Sequence, residues 1–203
     1  MKIELHLHTN RYSACCVDEP ETLMAELIRA GYGAVYITEH DAVWPADDIA
    51  ELQARFAGIR IYGGVELTLG VPQSMHLLVL GTSDPEYVSL RYDPCGVIQK
   101  AQAHGHLTVL AHPFRWRGGD QILDEFMLPD AIEFRSSNHD RRSARRSREA
   151  AERLNLPIVN GGDVHSVDMI DRFWIDTHEP LERAGDIREI VLNGRYDLGM
   201  WDF

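Results

Sequence analysis

Residues 2–8 read Lys-Ile-Glu-Leu-His-Leu-His, a segment in which apolar and polar side chains alternate. Such alternation is typical of a β-strand with one buried face. It places His6 and His8 two residues apart, so both imidazoles point to the same side of the strand. A strand can offer two ligands to one metal ion in this way. Two polar residues on a solvated strand edge would give the same pattern.

Further apolar segments along the chain also end at an imidazole or a carboxylate. These ends are His40, Glu66, His112, Asp163 and His165, and His76 opens one more apolar segment. Taken singly, each is as easily a structural residue as a ligand, but independent structural histidines have no reason to favour strand ends. Imidazole and carboxylate together suit Zn, Mn, Fe and Co without any thiolate. The joint pattern therefore predicts a hydrolase built around a cluster of metal ions.

Strand-like and helix-like segments alternate along the chain. The predicted strands are Lys2–His8, Ala34–Thr38, Ile59–Thr68, His76–Gly81, Leu107–His112, Ala131–Arg135, Leu156–Gly161 and a last short Phe173–Asp176. The predicted helices run from Asp18 to Gly31 and over Pro45–Ala57, Pro94–Gly105, Gln121–Phe126, Arg141–Leu154 and Asp186–Gly194, the last closing the chain. This α/β order predicts a parallel sheet covered by helices, either a barrel or an open doubly wound sheet.

In β/α barrels, the functional residues lie at the carboxyl ends of the strands. Most of the candidate ligands lie at such ends, and this position favours the barrel over the open sheet. His76 is the exception, because it leads its strand after the Gly-Val-Pro-Gln-Ser loop of residues 70–74. We therefore expect His76 to reach the site from a loop. Glu66 can bridge two ions because a carboxylate has two oxygens. Asp163 and His165 follow two glycines, which relieve crowding around this segment.

Composition bounds the classes of function. A chain of 203 residues suits one domain, and its net charge of −12 disfavours long non-specific contacts with nucleic acid. The three cysteines, Cys15, Cys16 and Cys95, have no metal-ligand spacing and suggest a reducing compartment. The amino terminus lacks the apolar stretch of a signal peptide, and no segment is apolar for long enough to span a membrane. We expect a cytoplasmic protein with no membrane partner, and the oligomeric state stays open.

Six ordered motifs resemble those of the PHP (polymerase and histidinol phosphatase) family. They are His6-Leu-His8-Thr, Thr38-Glu-His40-Asp41, Gly64-Val-Glu66, Met75-His76, Ala111-His112-Pro113 and Gly162-Asp163-Val-His165. The resemblance implies a single catalytic domain over residues 1–203, folded as a distorted seven-stranded, TIM-like β/α barrel. It also implies phosphoester hydrolysis with two to three divalent ions (Mn, Zn or Fe) at the carboxyl ends of the strands.

The same resemblance assigns ligands to each ion. The first ion is expected on His6, His8, Glu66 and Asp163, the second on Glu66, His76 and His112, and the third on His40 and His165. Ala14 stands where the family usually has an acidic or histidine ligand for the third ion. We therefore expect the third ion to be weakly held or assisted by phosphate. Cys15 could replace the missing ligand or could simply be a small packed residue.

Catalytic and substrate-binding residues follow from this scheme. Two adjacent ions can activate a water and clamp a phosphoryl group, so no separate nucleophile is required. The expected catalytic side chains are His40, His165 and Asp163, with either histidine able to protonate the leaving group. Arg115, and with weaker support Arg11 and Arg135, are expected to bind the substrate phosphate. Five arginines between residues 141 and 148 form either a solvated helix face or a nucleic-acid contact.

The leading hypothesis is a metal-dependent phosphoesterase acting on a small phosphomonoester, such as a nucleotide or a phosphorylated metabolite. One alternative is an exonuclease or phosphodiesterase acting on short oligonucleotides, and another is a non-catalytic accessory module. A C–N hydrolase of the amidohydrolase type shares the ligand logic but normally has a metal-bridging lysine at a strand end. Lys2 and Lys100 are the only lysines of the chain, and neither has that position.

Overall fold

A computed structural model describes residues 1–69, 75–124 and 127–201. The strands are β1 (Lys2–Leu7), β2 (Ala34–Ile37), β3 (Arg60–Leu69), β4 (Met75–Leu80), β5 (Leu107–Ala111), β6 (Ala131–Arg135), β7 (Ile158–Asn160), β8 (Phe173–Thr177) and β9 (Tyr196–Met200). The helices are α1 (Pro20–Arg29), α2 (Ala46–Arg55), α3 (Glu86–Leu90), α4 (Pro94–His104), α5 (Arg141–Leu154) and α6 (Asp186–Leu192). Short 3-10 turns lie at Gln121–Asp124 and Val167–Met169.

All nine strands belong to one strongly curved sheet, in the order β7-β6-β5-β4-β3-β2-β1-β8-β9. Its two edges approach each other. The main-chain N–H of His8 donates to the carbonyl of Val164 at 2.9 Å, and the N–H of Val164 donates to the carbonyl of His6 at 3.1 Å. The segment that follows β7 therefore pairs with the end of β1, and the sheet forms a nearly closed barrel. The predicted α/β barrel fold is confirmed, but the described sheet has nine strands, whereas seven were expected.

Strands β8 and β9, which are connected through α6, lie between β1 and β7 at the other end of the barrel. β8 runs antiparallel to β1, and β9 runs antiparallel to β8. The hydroxyl of Tyr196 donates to the carbonyl of Ile158 at 2.6 Å, and the side-chain amide of Asn160 donates to the carbonyl of Gly199 at 2.9 Å. These bonds attach β9 to β7. The sequence prediction missed β9 and α3, and it wrongly closed the chain on a helix.

The direction of β4 corrects a second prediction. β4 is antiparallel to both β3 and β5, whereas the other neighbours from β1 to β7 are parallel. A parallel crossover needs about a dozen residues, and only residues 70–74 separate β3 from β4. Because β4 is reversed, its amino-terminal end lies at the edge where the parallel strands have their carboxyl ends. His76 thus reaches the site from the strand, and the expectation that it does so from a loop is wrong.

Two predicted features fall partly outside the described residues. The Gly-Val-Pro-Gln-Ser segment of residues 70–74 lies there, and so does Phe126 at the end of a predicted helix. The remaining predicted strands and helices agree with the structure to within a few residues at their ends, and α5 matches its predicted bounds.

The helices cover the outside of the barrel with apolar faces. Leu23, Met24 and Leu27 of α1 are buried and pack in one cluster with Val35 and Ile37 of β2. Their spacing follows the helical period, so a single face of α1 is apolar. Helix α5 instead buries small residues, Ala144, Ser147, Ala150 and Ala151, and its arginines lie on the exposed face. In the described residues, no helix has the length and apolar character needed to cross a membrane.

Gly63 of β3 provides a test of how closely this strand packs against the turn at Thr82. A Cβ at Gly63 would lie 2.6 Å from the carbonyl oxygen of Thr82 and 2.7 Å from the hydroxyl of Ser83. The Thr82 turn is fixed there because the N–H groups of Gly81 and Thr82 both donate to the carbonyl of Gly63. We expect Gly63→Ala to lower the free energy of unfolding by about 1–3 kcal/mol, because the backbone must move.

Gly58→Ala is the matched control. A Cβ at Gly58 would meet only Ile28, at an ordinary contact distance of 3.5 Å. This variant should be neutral or stabilised by about 0.4–1 kcal/mol through the unfolded chain. Urea unfolding of both variants measures the difference. Equal stabilities would show that the turn at Thr82 does not pack as described.

Candidate metal centre

Eight side chains converge at one end of the barrel, and they are the eight predicted ligands. They come from β1 and its end (His6, His8), the segment after β2 (His40), β3 (Glu66), β4 (His76), the segment after β5 (His112) and the segment after β7 (Asp163, His165). His6, His8 and Glu66 have no solvent-exposed surface. The structure therefore brings together every residue of the predicted metal cluster.

Glu66 lies at the centre of this cluster. Its Oε1 is 2.7 Å from Nδ1 of His76 and 3.1 Å from Nε2 of His112. Its Oε2 is 2.9 Å from Nδ1 of His40, 3.2 Å from Nε2 of His8 and 3.3 Å from Nε2 of His6. The two oxygens thus face different sets of imidazoles, which is the arrangement that a bridging carboxylate requires.

Four overlapping groups of side chains have ligating atoms close enough to share an ion. Within each group these atoms lie within 4.8 Å of one another, and the groups are His6-His8-Asp163, His6-Glu66-His112, His40-Glu66-His76 and His8-His40-His165. The first group contains three of the four ligands expected for the first ion. The ligands expected for the second ion are divided, because Glu66 and His112 group with His6 while His76 groups with Glu66 and His40. The last group adds His8 to the pair expected for the third ion. It contains three imidazoles and no carboxylate.

The donor set fits divalent ions. Oε2 of Glu66 is fully buried and accepts no hydrogen bond from the described residues, although three imidazole nitrogens lie within 3.3 Å of it. A buried carboxylate oxygen without a donor is unfavourable unless a cation faces it. Nε2 of His6 and Nε2 of His8 are only 3.1 Å apart, so the two nitrogens face the same space. Imidazole nitrogen and carboxylate oxygen are the ligands that Zn, Mn and Fe accept.

The cluster keeps its carboxylates charged. Burial alone would raise the pKa of Glu66 and of Asp163, but the positive charge of His6 and the other nearby imidazoles holds both pKa values well below their ordinary range. Burial likewise would lower the pKa of His6, and the carboxylates of Asp163, Glu66 and Glu133 outweigh it and raise that pKa. The pKa of His8 is also raised despite burial, by Asp163 and Glu66. His6 and His8 therefore favour the protonated form when no ion is bound.

His165 differs from these histidines. Burial and the neighbouring His8 lower the pKa of His165, so its ring is neutral at neutral pH. Its Nδ1 is 3.0 Å from the carbonyl oxygen of Asp163, which fixes the ring. A neutral, oriented imidazole is suited to bind an ion and is a poor proton donor.

The backbone around the ligands is crowded and partly strained. His112 and Asp163 have φ values of 28° and 48°, which residues with a side chain rarely adopt. A Cβ at Gly162 would lie 2.4 Å from Oε2 of Glu4. A Cβ at Gly161 would lie 2.8 Å from Oε1 of Glu133. Glycine is needed at both positions because carboxylates of β1 and β6 approach the chain there.

An opening of about 340 Å³ leads to the cluster. It is lined by five of the candidate ligands and by Cys15, Arg115, Trp116, Asn138 and Met169. The indole of Trp116 lies with its ring centre 5.1 Å from that of His76 and 5.3 Å from that of His112. Cys15 reaches the opening but belongs to none of the four groups found among the described residues.

The three predicted phosphate-binding arginines differ in position. Arg115 lines the opening, and its guanidinium lies 4.4 Å from the centre of the Trp116 ring. Arg11 instead forms an ion pair with Asp48 and borders a larger cavity of about 470 Å³ that contains none of the candidate ligands. Arg135 lies beside Phe134 and does not line the opening. Of the three, the structure brings only Arg115 to the cluster.

Several polar residues that contact the candidate ligands were not predicted from the sequence, and Glu133 and Asn138 are two of them. Glu133 of β6 is buried, with Oε1 2.9 Å from Nδ1 of His6, and its Oε2 accepts the main-chain N–H of His112 at 2.9 Å. The amide of Asn138 donates to Oδ2 of Asp163. A carboxylate within the apolar strand Ala-Ile-Glu-Phe-Arg was the available signal for Glu133. Asn138 lies in a polar segment that carries no such signal.

Comparison with known proteins supports the fold. No family model and no curated protein matches the chain. Among solved structures, the chain is similar to a two-domain protein of Bacteroides vulgatus described as containing a predicted PHP-like metal-dependent phosphoesterase, with a TM-score of 0.74 and 20% identity. The match covers 98% of this chain and 64% of that protein, so the chain spans less than two thirds of its length.

Two further structures match over nearly their whole length. One is a candidate metal-dependent phosphoesterase of Bifidobacterium adolescentis, with a TM-score of 0.63, 18% identity and coverage of 93% of this chain and 94% of that one. The other is an amidohydrolase of Chromobacterium violaceum with bound sulfate and no metal, with a TM-score of 0.65, 15% identity and coverage of 97% and 98%. The chain therefore has the barrel fold of the PHP-like metal-dependent phosphoesterases, as its motifs predicted.

Proposed function

We propose that this protein is a metal-dependent hydrolase that removes the phosphoryl group from a small phosphomonoester. The observation that carries the proposal is the position of Glu66, whose two buried oxygens face five imidazole nitrogens from four different parts of the chain. The neighbours described as phosphoesterases share the fold and support the choice of reaction. The proposal includes eight metal ligands, which are His6, His8, His40, Glu66, His76, His112, Asp163 and His165.

Divalent ions held by these side chains would polarise the phosphoryl oxygens and supply a water nucleophile at neutral pH. Arg115 at the opening binds the non-reacting phosphate oxygens, because a guanidinium matches their geometry and charge. Asn138 holds Asp163 in place through its amide. These contacts orient the substrate from the solvent side, while the ligands lie below it.

Proton delivery to the leaving group falls to His40 in this scheme when no third ion occupies its imidazole. His40 and His165 both line the opening, but the lowered pKa of His165 makes it the better ligand. The side chain of His40 is 33% exposed, so its ring can meet the leaving group. Asp163 acts as a ligand carboxylate whose charge is preserved by its low pKa.

The amidohydrolase reaction is less well supported by the chain itself. Lys2 forms an ion pair with Asp171 and lies over the rings of Tyr32 and Trp174. Lys100 pairs with Asp84 and Glu86. Neither lysine reaches the cluster, so no lysine can bridge two ions there.

Substrate size and charge favour a small molecule. The opening of about 340 Å³ accommodates a phosphate with a small leaving group. A net charge of −12 disfavours a long polyanion. A non-catalytic accessory role does not explain why every ligand for two ions is present and converges on Glu66.

Hydrolysis by the reconstituted protein tests the proposal. The protein, loaded with Mn²⁺, should release phosphate from phosphomonoesters, and chelation should abolish this activity and re-addition of Mn²⁺ should restore it. A panel of phosphomonoesters, cyclic nucleotides, short oligonucleotides and N-acyl amino acids separates the reaction classes. Hydrolysis of an amide or a phosphodiester in preference to every monoester would contradict the proposal.

Arg115→Ala tests the assigned phosphate contact. A charge-assisted hydrogen bond is worth about 1.5–3 kcal/mol, so kcat/KM for the best monoester should fall about tenfold or more. Arg11→Ala is the matched control, because Arg11 is paired with Asp48 beside a separate cavity, and it should leave kcat/KM unchanged. Equal effects of the two substitutions in folded, metal-loaded proteins would remove Arg115 from the substrate site.

A further inference from the structure

We propose that Glu133 is a positioning residue for the metal centre, which fixes the ring of one ligand and the main chain of another through its two carboxylate oxygens. The inference rests on the metal binding proposed above and is independent of the substrate. Glu133 lies on β6 and is 1% exposed, while the two ligands that it contacts lie on β1 and after β5. One buried carboxylate therefore connects three strands of the barrel.

The contact with His6 selects the form of its ring. A carboxylate can only accept hydrogen bonds, so Nδ1 of His6, 2.9 Å from Oε1 of Glu133, carries a proton. The lone pair of the neutral ring is then on Nε2. That atom faces Oδ1 of Asp163 at 3.4 Å and Nε2 of His8 at 3.1 Å. Without Glu133 the proton could move to Nε2, and His6 could not bind an ion there.

The contact with His112 stabilises an unfavourable backbone. His112 has a φ of 28° and precedes Pro113, and its N–H donates to Oε2 of Glu133 at 2.9 Å. A conformation of this kind persists when surrounding contacts determine it. From this backbone, Nε2 of His112 reaches Oε1 of Glu66 at 3.1 Å. Glu133 thus acts on the candidate ligands of both ions that share Glu66.

Because Gly161 has no side chain, the carboxylate of Glu133 and the side chain of His6 can lie close to the main chain at this position. A Cβ at Gly161 would lie 2.8 Å from Oε1 of Glu133 and 2.9 Å from Cβ of His6. The first distance is too short for any ordinary contact, and the second atom is close to the backbone and cannot swing away. A side chain at position 161 would therefore displace either the carboxylate or the imidazole that it fixes.

Glu133→Gln is the most direct test, because it keeps the size of the side chain and removes one acceptor. An amide has a single acceptor oxygen, so it can accept from His6 or from His112 and must place its own N–H groups against the other donor. We expect the dissociation constant for Mn²⁺ to rise about 10- to 100-fold. In the Zn²⁺-loaded protein, we also expect the Nδ1–H resonance of His6 to shift or exchange faster with water.

Asp130→Asn is the matched control. Asp130 is also a buried carboxylate with several donors, since it accepts from the N–H and hydroxyl of Thr108 and from Arg188, but it contacts no candidate ligand. The Asp130→Asn substitution should lower the thermal stability of the protein and leave its dissociation constant for Mn²⁺ unchanged. Gly161→Ala should weaken Mn²⁺ binding as Glu133→Gln does, and it replaces that variant in the comparison should Glu133→Gln fail to fold.

The results separate this inference from the proposed function. Wild-type Mn²⁺ affinity in a folded Glu133→Gln or Gly161→Ala protein, with an unchanged Nδ1–H resonance, would overturn the role of Glu133. An equal loss of affinity in Asp130→Asn would also overturn it, because the effect would then be general destabilisation. Either result leaves the proposed function intact, whereas a wild-type protein that binds no Mn²⁺ would defeat both.

Discussion

The structure depends on one electrostatic constraint, which is the burial of Glu66 among imidazoles. A carboxylate without solvent contact is strongly unfavourable unless positive charge or hydrogen-bond donors surround it. Here the surrounding groups are five histidines that come from β1, β4 and the segments after β2 and β5. The barrel must hold these segments together for the carboxylate to remain charged. The fold and the site therefore stabilise each other through this one residue.

The reversed direction of β4 brings one of these histidines to Glu66. If β4 were parallel to its neighbours, His76 at its start would lie at the opposite end of the barrel from Glu66. Because β4 is antiparallel, Thr68 and His76 are paired across β3 and β4, and Nδ1 of His76 lies 2.7 Å from Glu66. The closure of the barrel between Leu7 and Val164 similarly brings Asp163 to the end of β1. Both of these departures from a regular parallel barrel bring a candidate ligand to the site.

Much of this arrangement could be predicted from the sequence, and the exceptions have physical reasons. Strand periodicity and the position of polar residues at strand ends were sufficient to identify all eight converging side chains. The reversal of β4 was missed because helix–strand alternation was assumed to continue, although residues 70–74 are too few for a crossover. The carboxylate of Glu133 stood out within an apolar strand, but its role depends on contacts from β1 and from the segment after β5, which that local pattern does not specify. Arg11 was a weaker candidate for binding the substrate phosphate, and the structure instead pairs it with Asp48 beside a separate cavity.

The central claim is that Glu66 bridges at least two metal ions. The most direct test is a calorimetric titration of the ion-free protein with Mn²⁺ that measures how many ions bind and how many protons are released. Nearby carboxylates raise the pKa of His6 and of His8, so ion binding must displace protons and the apparent affinity must rise with pH. We predict that at least two ions bind per chain and that protons are released as they bind. The Glu66→Gln protein should bind one ion fewer, because the negative charge between the two cations is removed. Fewer than one ion per wild-type chain, or full occupancy in Glu66→Gln, would contradict this claim.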